Sequence, residues 1–145
     1  MDARPTSDSG KQILLRAEQT DGATSIIEST MPARAPGPPL HKHDFGEAFY
    51  ILDGELTIQL RDDLQVARPG ELVLAPRGVP HTLANESDAP TRYLIICTPA
   101  GFERHFARLA AAQAGTDPPE WALQPIPDVT YVGPRIGEGR PGRQG

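Results

Sequence analysis

Proline and glycine interrupt this chain so often that they constrain its fold class before any motif is read. The 145 residues include 16 prolines and 14 glycines, 30 together or about a fifth of the chain. Each proline inside a helix costs about 3 kcal/mol, because it removes an N–H donor and clashes with the preceding turn. A helix bundle cannot absorb so many, and an all-α architecture is excluded. The total stays below the roughly 25–30% that marks low-complexity chains, and 38% of the residues are hydrophobic. The expectation is one folded, β-rich domain.

The breakers separate short apolar runs. Residues 1–10 are polar and unpatterned and read as a flexible N-terminal arm. Lys11–Leu15 and Thr24–Met31 read as strands, and the proline-rich run 32–40 must be extended or looped. Residues 47–61 carry a hairpin pattern: EAFYIL and ELTIQLR flank Asp53-Gly54, a dipeptide suited to a tight turn with positive φ. In the second arm Leu56, Ile58 and Leu60 alternate with Thr57, Gln59 and Arg61, as in a half-buried strand. Asp62-Asp63 and Pro69-Gly70 mark turns, and residues 71–75, 81–85 and 91–98 read as further strands. Such spacing predicts a sandwich or barrel. One helix is expected after Thr98-Pro99, read as N-cap and first helical position, with Phe102, Phe106 and Leu109 as its apolar stripe and Gly115 as its stop. The barrel and helix therefore occupy 11–115, and 116–145 read as a proline- and glycine-rich tail whose last residues, GEGRPGRQG, are expected to be disordered.

Charge narrows the function classes. Lys and Arg number 14 against 19 Asp and Glu, a net −5, so the basic footprint of a nucleic-acid binder is absent. No apolar run approaches the ~20 residues of a membrane span, and no signal peptide is read at the N-terminus. The single cysteine, Cys97, excludes an internal disulfide and fits a reducing compartment, so a cytoplasmic location is expected. Cys97 itself reads as a small buried hydrophobe.

The chemistry concentrates in three histidines and a glutamate. His41 and His43 are one residue apart, so an extended segment points both rings to one side. Glu47 shares their parity, and His81 must return from a neighbouring strand. Converging inside a barrel, these groups form a mixed N/O site suited to Zn, Fe, Mn, Ni or Cu. The competing reading is a set of buried imidazoles satisfied by hydrogen bonds. His105, on the helix, reads as a solvated residue.

In order and spacing these residues resemble the cupins. The first cupin motif, HxH followed after three residues by glutamate and after six more by glycine, is met by His41, His43, Glu47 and Gly54. The second is met by Gly70, Pro76, Gly78, His81 and Asn85. The glycine that normally precedes the first histidine by six residues is Ala35 here, with Gly37 nearby. The resemblance covers roughly residues 25–100 and implies a double-stranded β-helix, or jelly-roll, barrel. It further implies one divalent transition metal ion held by His41, His43, Glu47 and His81, with Glu47 as fourth ligand or as general base. Asn85 is expected to hold backbone.

Residues 98–103, TPAGFE, resemble a run that follows the last barrel strand in small quercetinase-like bacterial cupins. That likeness implies a dioxygenase in which the metal polarises a substrate oxygen and stabilises an enolate-like intermediate. The alternatives are a non-oxidative isomerase, dehydratase or polyketide cyclase, and a non-catalytic small-molecule-binding cupin. Phe45, Phe49, Ile51, Phe102 and Phe106 are the candidate walls of a substrate pocket. The expected partners are a small-molecule substrate and a second copy of the chain, since small cupins usually pair through exposed strands and an open sheet edge invites pairing.

Overall fold

A computed structural model describes residues 10–138 as two five-stranded antiparallel sheets and one α-helix. The strands are β1 (Lys11–Leu15), β2 (Ser25–Met31), β3 (His41–His43), β4 (Gly46–Asp53), β5 (Leu56–Leu60), β6 (Asp63–Ala67), β7 (Leu72–Ala75), β8 (His81–Ala84), β9 (Thr91–Thr98) and β10 (Val129–Tyr131). One sheet runs β1-β2-β9-β4-β7, and the other runs β10-β3-β8-β5-β6. The expected N-terminal arm, save Gly10, and all but the first two residues of the expected disordered terminus lie outside the described residues.

Alternation puts the core between the sheets. In β9, Thr91, Tyr93, Ile95 and Cys97 are buried while the residues between them are more exposed, the pattern of a strand covered on one face. Ile27, Phe49, Ile51, Leu56 and Ile58 join them, each at most 1% exposed. Burying an aliphatic or aromatic side chain of this size is worth about 1.5–3 kcal/mol, so this layer holds the sheets together.

The expected hairpin at Asp53-Gly54 does not form. β4 pairs with β9 and β7, whereas β5 pairs with β8 and β6. The chain crosses between sheets at this point. Gly54 does take positive φ, +84°, and a Cβ there would lie 2.6 Å from the Pro90 carbonyl oxygen. The turn chemistry was read correctly, but its consequence is a corner. Thr91 holds that corner through Oγ1, which accepts from the Glu55 N–H and donates to the Glu55 carbonyl. The true two-residue hairpin joins β5 to β6, where Leu60 pairs with Asp63 around Arg61 and Asp62. The strand character of 63–67 was hidden by the acidic run at its start.

The helix, α1, spans Glu103–Ala114, with Gly115 ending it at φ +71°. Its start is later than expected: Thr98 still belongs to β9 and pairs with Gly46, and the N-cap is Phe102. The stripe is also rotated. Leu109 is 41% exposed, and the fully inward row is Glu103, Ala107 and Ala111. Small residues let the helix approach the sheet closely, while Phe102 and Phe106 reach sideways into the core. Glu103 is tolerated there because its carboxylate accepts the N–H groups of Ala17 and Gly101, at 2.7 and 2.8 Å.

Residues after Gly115 are more ordered than their composition suggests. Arg108 donates to the carbonyls of Ala122 and Gln124, and Arg104 to that of Pro125. These bonds carry the chain back to the barrel, where β10 pairs with β3 residue for residue.

Candidate metal centre

β3 presents His41 and His43 inward and Lys42 outward. Antiparallel pairing sets His81 of β8 directly opposite His41, and β4 supplies Glu47 across the gap between the sheets. The stiff run before β3 is held by a close approach at Gly37, where any Cβ would overlap the Leu83 carbonyl. Ala35 needs no such freedom, since it forms an ordinary bridge to Asn85. Asn85 donates to the carbonyls of Met31, Pro32 and Ala89 and accepts from Ser87, a loop-holding role.

One ligand atom from each of His41, His43, Glu47 and His81 lies within 4.8 Å of the others, and all four residues are buried. Glu47 Oε1 is 3.0 Å from Nε2 of both His43 and His81. The other nitrogen of each ring is committed to backbone. Nδ1 of His41 faces the Pro39 carbonyl at 2.8 Å, that of His43 the Phe45 carbonyl at 3.0 Å, and that of His81 the Val79 carbonyl at 2.9 Å. A carbonyl has no proton to give, so each Nδ1 carries the hydrogen, and a neutral ring then has a bare Nε2 aimed at the centre.

That arrangement tests the donor set for a metal. Two bare Nε2 atoms facing one carboxylate oxygen would be acceptors against an acceptor. A positive charge must stand between them, either a second proton on each ring or a cation. Two imidazolium rings with centroids 4.6 Å apart repel each other, whereas one divalent ion satisfies every lone pair. Ligand atoms about 2.1 Å from one ion and at right angles to each other are about 3.0 Å apart. The backbone carbonyls supply the orienting contacts that metal-bound histidines use. The residues fit a transition metal ion.

Electrostatics follow the same contacts. Burial alone would raise the Glu47 carboxyl, but the hydrogen bonds and charge of His43 and His81 outweigh it and hold the group at about 2. Burial would lower His81, yet the Glu47 bond and charge raise it above its ordinary value. His41 is lowered, because burial there outweighs the pull of the Pro39 carbonyl and of Glu47. Cys97, fully buried beside this charge, has its thiol pushed well up by burial and by Glu47, which suits a packing role.

A cavity of about 580 Å³ opens onto His41 and Glu47. Of the five candidate wall residues, Phe49, Phe102 and Phe106 line it. Phe45 and Ile51 are instead packed into the core. Phe45 lies flat against the His43 ring, centroids 3.6 Å apart and planes 3° apart, so it backs a ligand. His105 is exposed, as read from the sequence, and sits at the edge of the cavity with its ring stacked on Phe102 at 5.1 Å. Burial, with the charges of Lys11 and Arg108, lowers its pKa.

Sequence reasoning missed Lys11, Tyr93 and residues 127–129, all of which line the cavity, whereas Ile126 and Tyr131, legible as apolar docking points of the tail, line it too. Tyr93 was legible in the alternation of β9, and Lys11 shares the parity of Ile13. Residues 127–129 carry no local signal, because their place is set by arginines on α1.

A jelly-roll of two antiparallel sheets with three histidines and a glutamate at one end of its interior defines the class. Residues 27–97 match the Cupin_2 family model, described as a cupin domain, and the two-sheet jelly-roll around them agrees with the fold of such a domain. Among solved structures, a predicted oxalate decarboxylase from Thermotoga maritima aligns at TM-score 0.57 and 22% identity, over 61% of this chain and 78% of that one. The polyketide cyclase RemF from Streptomyces resistomycificus aligns at 0.55 and 22%, over 65% and 68%. At this identity both show the fold alone. Endoribonuclease YbeY of Myxococcus xanthus is 32% identical over 98 residues, 64% of this chain but 32% of that protein. The chain therefore spans about a third of the curated relative it matches. Among the described residues no helix is long and apolar enough to cross a membrane.

Proposed function

We propose that the protein is a metal-dependent enzyme acting on a small organic molecule held in the cavity beside His41, His43, Glu47 and His81. The observation that carries this reading is the convergence of the four ligand-type atoms at the inner end of an apolar, ligand-sized space. A divalent transition metal ion, when bound there, supplies Lewis-acid polarisation of a substrate oxygen.

The chain's own groups divide the remaining work. Glu47, whose Oε1 lies 3.0 Å from Nε2 of both His43 and His81, is placed among the histidines as a fourth ligand. His105 brings a second imidazole to the cavity wall, its pKa lowered by burial and by the charges of Lys11 and Arg108. Burial and the Glu47 charge push the Tyr93 phenol up to about 12, so it stays protonated and can donate a hydrogen bond. Phe49, Phe102 and Phe106 give an apolar, aromatic wall suited to an aromatic or enolisable substrate.

Within this class the leading reading is a quercetinase-like dioxygenase, supported by the aromatic wall and by the TPAGFE run that places Phe102 and Glu103. The endoribonuclease activity in the relative's name is not part of the proposal, because this chain covers only 32% of that protein. The test pairs metal analysis of protein purified without added metal with oxygen uptake on a panel of flavonols and β-diketones. Oxygen consumed in step with substrate supports the dioxygenase. Substrate loss without oxygen uptake replaces it with an isomerase, dehydratase or cyclase, and ligand binding without turnover replaces it with a binding protein. A protein that takes up no metal overturns the reading.

A further inference from the structure

β3 carries two of the four ligand-type residues, yet it is short and depends on its neighbours for its place. Among the described residues it pairs with β8 at one position, where His41 faces His81. The Gly78 N–H supports that side by donating to the His43 carbonyl at 2.8 Å. On the other side β10 matches β3 throughout, with Val129 opposite His43, Thr130 opposite Lys42 and Tyr131 opposite His41. The contact continues back along the approach to the histidines. The Val132 N–H donates to the Leu40 carbonyl at 2.8 Å, the Leu40 N–H to that of Pro134 at 3.1 Å, and Arg135 Nε to that of Gly37 at 3.0 Å.

The segment that supplies this ladder comes from beyond α1, outside the two motifs that carry the ligands. Its near end is fastened to the helix: Arg108 donates to the carbonyls of Ala122 and Gln124, and Arg104 to that of Pro125. Its far end is fastened by Arg135 on Gly37. Between these points Ile126, Pro127, Asp128, Val129 and Tyr131 line the cavity. The Tyr131 ring lies 6.0 Å from the His41 ring, centroid to centroid, so the segment runs directly beside a ligand.

We propose that residues 124–135 form a strap that holds the histidine strand in register, so that metal retention depends on residues that do not touch the metal. The metal part of this inference rests on the function proposed above; the holding of β3 does not. Release of an ion requires His41 and His43 to draw away from Glu47 and His81 together, because both ride on one short strand. With the strap in place that movement must break the β10 ladder. With the strap detached, the single pairing with His81 and the Gly78 bond are what remain of the backbone hold. Segments with few backbone pairings open at the lowest free energy. Arg108, Thr130 and Arg135 are therefore positioning residues.

The test compares the wild type with Thr130→Pro and Arg108→Ala, each as the full-length protein. The Val132–Leu40 bond makes Thr130 and Lys42 the next hydrogen-bonded pair of the ladder, so Thr130→Pro removes a donor without entering the cavity. In chelated protein, hydrogen exchange at Leu40 and Lys42, whose N–H groups face the strap, should quicken at least about tenfold in both variants. The amides of β9, paired on both sides by β2 and β4, should keep their rates. After loading with cobalt(II), transfer of the metal to a competing chelator should also be about tenfold faster. Two substitutions are used so that one that fails to fold, as judged by circular dichroism, does not decide the result. Folded variants with wild-type exchange at Leu40 and Lys42, exchange that quickens equally in β9, or cobalt release at the wild-type rate would overturn the proposal. A wild type that takes up no cobalt would overturn the metal-dependent function, whereas faster exchange confined to β3 would still uphold the strap.

Discussion

Glu47 ties the stability of the metal-free protein to pH through two histidine contacts. Its carboxyl sits at about 2 in the folded chain against an ordinary value of 4.5. The stabilisation is therefore complete above pH 4.5 and is lost as pH falls towards 2. His81 is shifted the other way, above 6.5; its contribution is complete below pH 6.5 and is lost as pH rises through its folded value. Both shifts describe one interaction, and the acid limb is worth roughly 3 kcal/mol. Urea unfolding of chelated wild type against Glu47→Gln should show this pair's contribution at its largest between about pH 4.5 and 6.5, while His41 and His105, both lowered, oppose folding as pH falls below 6.5. In Glu47→Gln the acid limb should flatten, and an unchanged limb would contradict the pairing. His81→Ala removes one ligand and the partner of Glu47. Its metal content by elemental analysis should fall at least about tenfold, and full retention of metal would refute the centre.

At the scale of elements, buried polar contacts decide where α1 sits. Glu103 is fully buried and takes two backbone N–H groups, one from the turn after β1 and one from the turn before the helix. Glu103→Ala leaves both donors without their acceptor and should cost about 2–4 kcal/mol in chemical denaturation; a loss below 0.5 kcal/mol would show that water replaces the carboxylate. The sequence contained the glutamate and a reason for it, an acid in the first turn, but not its partner Ala17, 86 residues earlier. The helix stripe was misread for a related reason. Phe102 and Phe106 are the largest apolar groups, yet the close contact is made through Ala107 and Ala111, because backbone approach favours small side chains. Strand faces were easier. His41 and His43 could be assigned to one side from parity, since a strand has a repeat of two and little freedom to depart from it, whereas Glu47 lies on β4 of the other sheet and meets them across the interior.

Across the whole molecule, the two sheets end on β6 and β7 with apolar side chains turned outward. Leu64, Val66, Leu72 and Leu74 are 44, 40, 54 and 52% exposed, and β6 and β7 are the terminal strands of their sheets. Open edges with apolar flanks favour pairing with another strand. Light scattering should therefore find a homodimer, and Leu72→Lys with Leu74→Lys should shift it towards monomer; a wild-type monomer at working concentration would contradict the expectation. The cavity is likewise a property of the whole. Its walls come from β1, β4, β9, α1 and the segment after Leu123, parts that no local stretch of sequence brings together.

The sequence alone determined which residues could serve as ligands, which way their side chains point along a strand, and where the chain must turn. Each of these depends on covalent structure or on contacts between near neighbours, as at His41, His43 and Gly54. Tertiary structure alone decided which strands became partners. Gly54 supports a tight hairpin and a corner between sheets equally well; the pairing of β4 with β9 and of β5 with β8, with the inner faces of the two sheets packed together, selected the corner. The same long-range burial brought Lys11 into the barrel and drew β10 against the histidine strand. Parity assigns a side chain to a face, whereas the packing of all ten strands decides what that face meets.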